Sequence, residues 1–386
     1  MKTDYLKLYN SLDNEQSMIM KSTSDWVKEY VSPFIENSFN DENPLDLKIK
    51  LADLGAFGPI FSEKYGGLGI DYISFGLMMK ELEKGDSSIR VMSSIQTSLV
   101  MYAIHSFGNE EQKNKYLPKL ASGALLGSFA MSEPNHGSNI ANMKTNFKFH
   151  DGKFVINGSK IWIGNSENFD VLILWAKNSE NNVQGIIVER ENITNFQSNT
   201  MKEKWSFRSS YTGQLYFNDS IVPSSQLLSN TSSIKDAYKC LNIGRYAVAW
   251  GALGIAEECY EIALNHAIDR NQFGQPIAGK QLIQKKLVDM VTEISKAQLL
   301  CFRIGELLTS KQSSYQQISM AKRNNVEMAV KIAREARQIH GAMGIMNEYS
   351  VMRHMANLES VLTYEGTHDI HLLITGMDIT GIPAFN

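Results

Sequence analysis

The sequence predicts an α+β protein: an N-terminal helical domain over residues 1–125, a small β-barrel or sandwich domain over 126–234, and a C-terminal four-helix bundle over 235–386. Three observations carry that prediction. Apolar residues recur at helical spacing to about Leu125, short alternating runs separated by turn signals follow, and long helical periodicity returns from about Lys235. A chain of 386 residues, 43% hydrophobic with net charge −3, makes roughly two to three domain-sized units with a large core. No block of Lys or Arg points to nucleic acid. No run approaches the ~18 apolar residues of a membrane span, and Met1–Tyr5 carries no apolar signal core, so a cytoplasmic location is expected. Cys240, Cys259 and Cys301 are widely spaced and odd in number, and read as buried thiols in a reducing compartment. No histidine falls in a metal-binding spacing; His340, His354, His368 and His371 cluster late and read as structural or supporting groups.

Taken in order, Ser24–Val31 carries a helical stripe, and a helix from Pro44 to Leu54 starts at a proline and stops at Gly55. Gly66-Gly67-Leu68-Gly69 has no preceding strand and is not a dinucleotide fingerprint; it reads as a turn into a helix over Tyr72–Glu83. Ser87 or Ser88 is expected to cap a long helix running to about Phe107, with Gly108 just past its end. Arg90, Ser94 and Thr97 share one stripe of that otherwise apolar helix. Two readings stay open: the stripe walls a cavity, or Arg90 pairs with Glu83 or Asp86 while the serines bond back to their own helix.

In the β region, Phe147–Phe149 and Phe154–Ile156 flank the hairpin signal His150-Asp151-Gly152-Lys153, and Asn157-Gly158 is expected to make the next turn. Strands are expected at Ile161–Ile163, Val171–Trp175, Gly185–Glu189, Trp205–Phe207 and Gln214–Phe217, with Pro223 closing the region. Helices follow at roughly 236–268, 280–309, 314–341 and 349–362, with a last one after Thr367. Near that end, Tyr364-Glu365-Gly366-Thr367 separates two helical runs. Gly366 lets the backbone turn and Thr367 can cap the next helix, leaving N–H groups beside Glu365. A lone carboxylate there is a candidate base; the plain alternative is a solvated loop residue beside a cap.

With Tyr-Glu-Gly-Thr near its C-terminus, this domain order resembles the acyl-CoA dehydrogenase family over essentially the whole chain. The resemblance runs through Met131–Asn139, Lys160–Ile163, Asp269–Gly274 with Pro276, Ile277 and Gln281, and Gln338–Gly344. Arg245-Tyr246 with Ala249–Gly251, Gln281–Lys286, Thr363–Ile370 and Ile379–Ile382 most resemble glutaryl-CoA dehydrogenase.

The resemblance implies FAD as acceptor of a hydride that no side chain can take, and Glu365 as base for the α proton of an acyl thioester. The Glu365 N–H and a flavin ribityl hydroxyl would hold the thioester carbonyl. Flavin contacts are implied for Phe129, Met131, Ser132, Trp162 and Gly164 around the ring, and for Gly137 and Ser138 near the pyrophosphate. Gln338, Gly341, Thr367 and Asp369 match further contacts, and Arg270, Gln272 and Phe273 would come from a neighbouring subunit of a homotetramer. On the substrate side the resemblance implies Arg245, Asn242 and Ser138, and it matches Arg90, Glu83, Ser94 and Tyr364 to residues that surround the distal carboxylate of a glutaryl thioester. The implied reaction is α,β-dehydrogenation of a glutaryl-CoA-like diacid thioester, with loss of carbon dioxide to a crotonyl product. Electron-transfer flavoprotein or oxygen would take the electrons. Gly164 replaces a usual threonine, Val91 a serine, Asn139 an aspartate, and Ala342-Met343 a Gly-Asn pair. These departures leave open a thioester carried on an acyl carrier protein, or a flavin-free relative without catalysis.

Overall fold

The computed structural model describes residues 3–37 and 44–384; residues 1–2 and 38–43 of the expected N-terminal domain and 385–386 of the expected bundle lie outside them. Among the described residues, seven α-helices make the first domain: α1 (Asn14–Trp26), α2 (Ser32–Asn37), α3 (Lys48–Asp53), α4 (Tyr72–Gly85), α5 (Ser87–Ser94), α6 (Tyr102–Phe107) and α7 (Glu110–Ala121). Asp71 caps α4 by accepting from the Ser74 N–H at 2.6 Å. The expected long helix after Gly85 is present but interrupted: Ile95–Met101 between α5 and α6 is π-helical, a widened turn no local pattern announces. Its cap is Asp86, which accepts from the Ser88 N–H at 2.7 Å, and not Ser87 or Ser88. A carboxylate at this end also complements the helix dipole, which a hydroxyl does less well.

The middle domain is one open seven-stranded sheet, a half-barrel made of β1 (Gly127–Ala130), β2 (Asn146–His150), β3 (Lys153–Gly164), β4 (Val171–Lys177), β5 (Val183–Glu189), β6 (Phe196–Thr200) and β7 (Thr212–Pro223). Its order is β1-β4-β2-β3-β7-β6, with β5 on β4. The Asp151-Gly152 hairpin forms as expected. Asn157-Gly158 makes no turn: β3 runs straight through it, and the pair absorbs a register shift against β7. An Asn-Gly pair suits a bulge as well as a hairpin, because both need unusual backbone angles, and Gly158 has φ 141°. Trp205–Phe207 is a loop, not a strand. It is pinned to the last domain by Phe207 N–H donating to Asn357 Oδ1 at 2.8 Å and by a Ser206–Ser360 hydroxyl bond.

The last domain comprises α8 (Ile234–Asp269), the short hairpin β8 (Asn271–Gln272) and β9 (Gln275–Pro276), α9 (Gln281–Thr309), α10 (Tyr315–Ile339), α11 (Val351–Thr363) and α12 (His368–Thr380). The 36-residue α8 is central. A Cβ at Gly254 would overlap the Lys80 carbonyl, so glycine there sets the close approach of α8 to α4. One core joins the N-terminal helices to the bundle through Leu77, Met79, Trp250, Leu253, Ile294 and Ala333. A second joins them to the sheet through Val100, Ile104, Leu117, Ile173 and Trp175. The two cores fix the helix carrying Arg90 between sheet and bundle. Cys240, Cys259 and Cys301 are buried free thiols, and no helix among the described residues is long and apolar enough to cross a membrane.

Candidate active site

Glu365 lies in the link between α11 and α12. Thr367 caps α12, as expected, by accepting from the Ile370 N–H at 3.2 Å. The turn before it is unusual, with Glu365 at φ 55° and Gly366 at φ 101°. A left-handed glutamate costs on the order of 1 kcal/mol and persists only where its surroundings impose it. Here three consecutive carbonyls are held from outside. Arg245 Nε on α8 donates to Glu365 O at 2.9 Å. Lys322 Nζ on α10 donates to Tyr364 O at 3.1 Å and to Gly366 O at 2.9 Å. Asn242, one turn before Arg245, accepts from its Nη1 at 3.3 Å. The Glu365 side chain rests against α8, where a Cβ at Gly244 would overlap its carboxylate. Glu365 Oε2 has no hydrogen-bond partner among the described residues. Burial raises the Glu365 pKa, and Arg90, Arg245 and Lys322 only partly offset this. Glu365 is half-buried with its Oε2 enclosed, so it is not the solvated loop residue of the plain alternative, and an enclosed, unpartnered carboxylate oxygen with a raised pKa fits a candidate base.

Next to it is a buried ionic cluster. Arg90 on α5 donates from Nε to Glu83 on α4 and from Nη2 to the Tyr364 hydroxyl. Arg90 and Glu83 are both fully buried. Burial works against the Arg90 charge, yet Glu83 and Tyr364 outweigh it and hold the guanidinium above its ordinary range. Of the two sequence readings of this stripe, the pairing is the one observed. Arg90 does pair with Glu83, while Asp86 is spent on the α5 cap and on Arg353. The serines do not bond back to their helix: Ser94 Oγ, Ser98 Oγ, Arg90 Nη1 and Glu83 Oε1 are all buried and unpartnered among the described residues. Thr97 is used elsewhere, accepting from the Gly58 N–H at 2.8 Å.

Ile95, the residue after Ser94, connects this cluster to the sheet: a Cβ at Gly164 would lie 2.5 Å from Ile95 Cδ1. The isoleucine thus fills the place of the side chain that Gly164 lacks. Ser128 Oγ on β1 donates to Gly164 O at 2.7 Å, and the Ile161 N–H on β3 donates to Ser132 O at 2.9 Å, drawing Phe129, Met131, Ser132, Trp162 and Gly164 onto one ledge. Lys160, fully buried, braces the ledge from behind by donating to Met131 O at 2.9 Å and pairing with Glu133 at 3.0 Å. Trp162 sits at a second β3–β7 register shift with φ 62°, and its indole is 60% exposed. An indole turned out of a sheet beside main-chain polar groups suits a flat aromatic ligand, so these residues fit the flavin that the sequence resemblance implies.

Gly137 and Ser138 are exposed in the loop after β1. Arg270, Gln272 and Phe273 are exposed on the β8–β9 hairpin, Phe273 at 93%. Gln338 and Gly341 are exposed at the far end of α10, which meets the end of α8 through His266 and His340, stacked 4.3 Å apart. Asp369 is exposed in the first turn of α12. All of these are outward-facing groups of the single chain, and Asp369 alone among them adjoins the Glu365 link in sequence.

Sequence reasoning missed Lys322, and it noted His371 only as one of four late histidines. Lys322 had a signal: it falls within the buried stripe Ile318, Ala321, Lys322, Asn325 of α10, where a lysine is out of place. His371 is fully buried and its ring abuts Gly366; burial, with Lys322 and Arg245 nearby, pushes its pKa down to about 2, so it stays neutral.

Comparisons with known proteins agree with this geometry. Family models described as the N-terminal, middle and C-terminal domains of acyl-CoA dehydrogenase match residues 13–124, 128–220 and 234–380. An acyl-CoA dehydrogenase of Bacillus subtilis is 36% identical over 373 residues, spanning 95% of this chain and 98% of that one. The crystal structure of glutaryl-CoA dehydrogenase from Mycobacterium smegmatis superposes with a TM-score of 0.97 at 40% identity, covering 99% of each chain. A structure of a glutaryl-CoA dehydrogenase from the same organism in complex with FADH2 gives a TM-score of 0.97 at 36% identity, covering 100% of this chain and 99% of that one. With all three domain models matched in order and a relative 36% identical over 95% of the chain, the chain belongs to the acyl-CoA dehydrogenase family.

Proposed function

We propose that the protein is an FAD-dependent acyl-CoA dehydrogenase whose substrate is a glutaryl-CoA-like diacid thioester. Family membership supports acyl-CoA dehydrogenation. The diacid assignment rests on one observation: fully buried Arg90 and fully buried Ser94, one turn further along the same helix, keep Nη1 and the hydroxyl unpartnered among the described residues. A buried guanidinium with a free N–H edge and a hydroxyl beside it suits a carboxylate. Glu83 already neutralises the charge of Arg90, so an incoming carboxylate is held by hydrogen bonds to Nη1 and Ser94 as much as by net attraction.

Glu365 removes the α proton, with its free Oε2 as acceptor and a pKa that burial raises, which makes it a stronger base than an exposed carboxylate. The Glu365 N–H is the donor for the thioester carbonyl and stabilises the charge that builds there as the α proton leaves. Bound FAD supplies the acceptor for the hydride from the β carbon. Phe129, Met131, Ser132, Trp162 and Gly164 hold it, with Gly137, Ser138, Thr367, Asp369, Gln338 and Gly341 further along. Arg270, Gln272 and Phe273 serve the site of a neighbouring subunit in a homotetramer. Asn242 and Arg245 position the thioester side. Once the α,β double bond exists, the carboxylate held at Arg90 leaves as carbon dioxide; its bonding electrons enter the conjugated thioester, and protonation completes a crotonyl product. A cytoplasmic location and electron-transfer flavoprotein or oxygen as acceptor belong to the same reading. Anaerobic addition of glutaryl-CoA to the yellow protein should bleach the flavin faster than butyryl-CoA does. Bleaching by uncharged acyl-CoA alone would remove the diacid assignment.

A further inference from the structure

Lys322 is a buried lysine whose two hydrogen-bond acceptors are carbonyl oxygens, Tyr364 O and Gly366 O, on either side of Glu365. It is 1% exposed, and Arg245, which holds the carbonyl between them, is 6% exposed. Burying an ammonium is expensive, and carbonyls repay less of that cost than a carboxylate would. Such a group survives where it holds a conformation that the chain would not keep alone. The left-handed Glu365 is that conformation. Lys322 Nζ also lies 5.9 Å from the Tyr364 ring centroid, and Arg90 Cζ lies 5.8 Å from the same ring. Tyr364 thus sits between the carboxylate-binding cluster and the clamp on the base.

We propose that Lys322 is a positioning residue for Glu365: it grips the carbonyls flanking the glutamate, fixes the left-handed turn that sets the direction of the carboxylate, and places a positive charge beside it. The catalytic half of this rests on the dehydrogenase reading; the clamp itself does not. The groups facing Glu365 are Arg245 from α8, Lys322 from α10, Arg90 from α5, His371 from α12 against Gly366, and Tyr364 in its own link. Burial pulls Lys322 down to about 7, with Glu365 opposing, and holds His371 neutral down to about 2; burial raises Tyr364 above its ordinary range. Lys322 is therefore the cation here whose charge changes near neutrality, and removing it raises the pKa of the base.

Lys322→Met deletes the charge and both hydrogen bonds at similar length; Lys322→Arg keeps a cation and donors. Hydrogen–deuterium exchange on the ligand-free holoprotein reads the clamp without turnover. Amides of residues 363–370 should exchange about tenfold faster in Lys322→Met and near the parent rate in Lys322→Arg. In anaerobic flavin bleaching, Lys322→Met should lose about 10- to 100-fold in kcat with KM within about twofold. Its acid limb should rise by about one pH unit, and Lys322→Arg should restore most of the rate. Parent-like exchange in Lys322→Met overturns the clamp. An unshifted acid limb in a folded, flavin-replete variant overturns the electrostatic role. Should Lys322→Met lose its fold, Lys322→Leu, which likewise lacks both the charge and the donors, carries the same comparisons. If no thioester bleaches the parent, the dehydrogenase reading fails, and exchange alone decides the clamp.

Discussion

Replacing Arg90 by Met removes the guanidinium that Glu83 and Tyr364 share and strands the Glu83 carboxylate in a fully buried place. Breaking one side of a buried pair costs about 3–5 kcal/mol. Arg90→Met alone would therefore lower the melting temperature whatever the substrate, and lost activity would be ambiguous. Glu83→Gln added to it removes the stranded charge, so Glu83→Gln/Arg90→Met should regain most of the lost stability. The catalytic effect then stands alone. Hydrogen bonds to a charged group are worth about 1.5–3 kcal/mol, and about 1.4 kcal/mol is tenfold. The double variant should lose roughly 10- to 150-fold in kcat/KM for glutaryl-CoA, read by anaerobic stopped-flow bleaching. Butyryl-CoA has no distal carboxylate and should change by less than about threefold. Equal losses for the two thioesters would make Arg90 a structural residue and refute the assignment.

Gly164 and Ile95 form a second testable pair. Gly164→Thr places a Cβ 2.5 Å from Ile95 Cδ1, which should cost about 1–3 kcal/mol by thermal melting. Ile95→Val deletes that atom, and the next, Cγ1, lies 3.9 Å away, so Ile95→Val/Gly164→Thr should melt near the parent; a double variant no better than Gly164→Thr would show that the clash lies elsewhere. The pH dependence follows from Glu365. Burial raises its folded pKa above the ordinary 4.5, and the base acts deprotonated, so kcat/KM should fall as pH drops through a midpoint above 4.5. A raised folded pKa also means that its contribution to stability is present at low pH and lost as pH rises through that value. Glu365→Gln should therefore gain stability relative to the parent between pH 4 and pH 8, and a gain that shrinks as pH rises would contradict the shift.

The three-part architecture was legible because periodicity changes twice, near Leu125 and near Lys235, and long helices such as α8 and α10 carry their pattern over many turns. What misled was local chemistry with two uses. Asn157-Gly158 reads as a turn but serves a bulge, because strand pairing with β7 on both sides keeps β3 going. Trp205–Phe207 has strand composition but is held by Asn357 and Ser360 from another domain, contacts that no window contains. The Asp86 cap lies at the α4–α5 junction, where aspartate and serine compete for the same N–H groups, and the π-helical stretch follows α5 with no local pattern to mark it. In the site, Glu365 and Arg90 stood out as charges in apolar surroundings. Lys322 stands out equally, but its acceptors are main-chain carbonyls of a turn whose shape exists only in the fold.

The central claim is that Glu365 takes the α proton. The direct measurement is anaerobic flavin bleaching by glutaryl-CoA in flavin-replete Glu365→Gln, which keeps the size of the side chain and removes the base. The account predicts a loss of about a thousandfold or more in bleaching rate with the flavin spectrum intact; a variant retaining a tenth of the parent rate would contradict it.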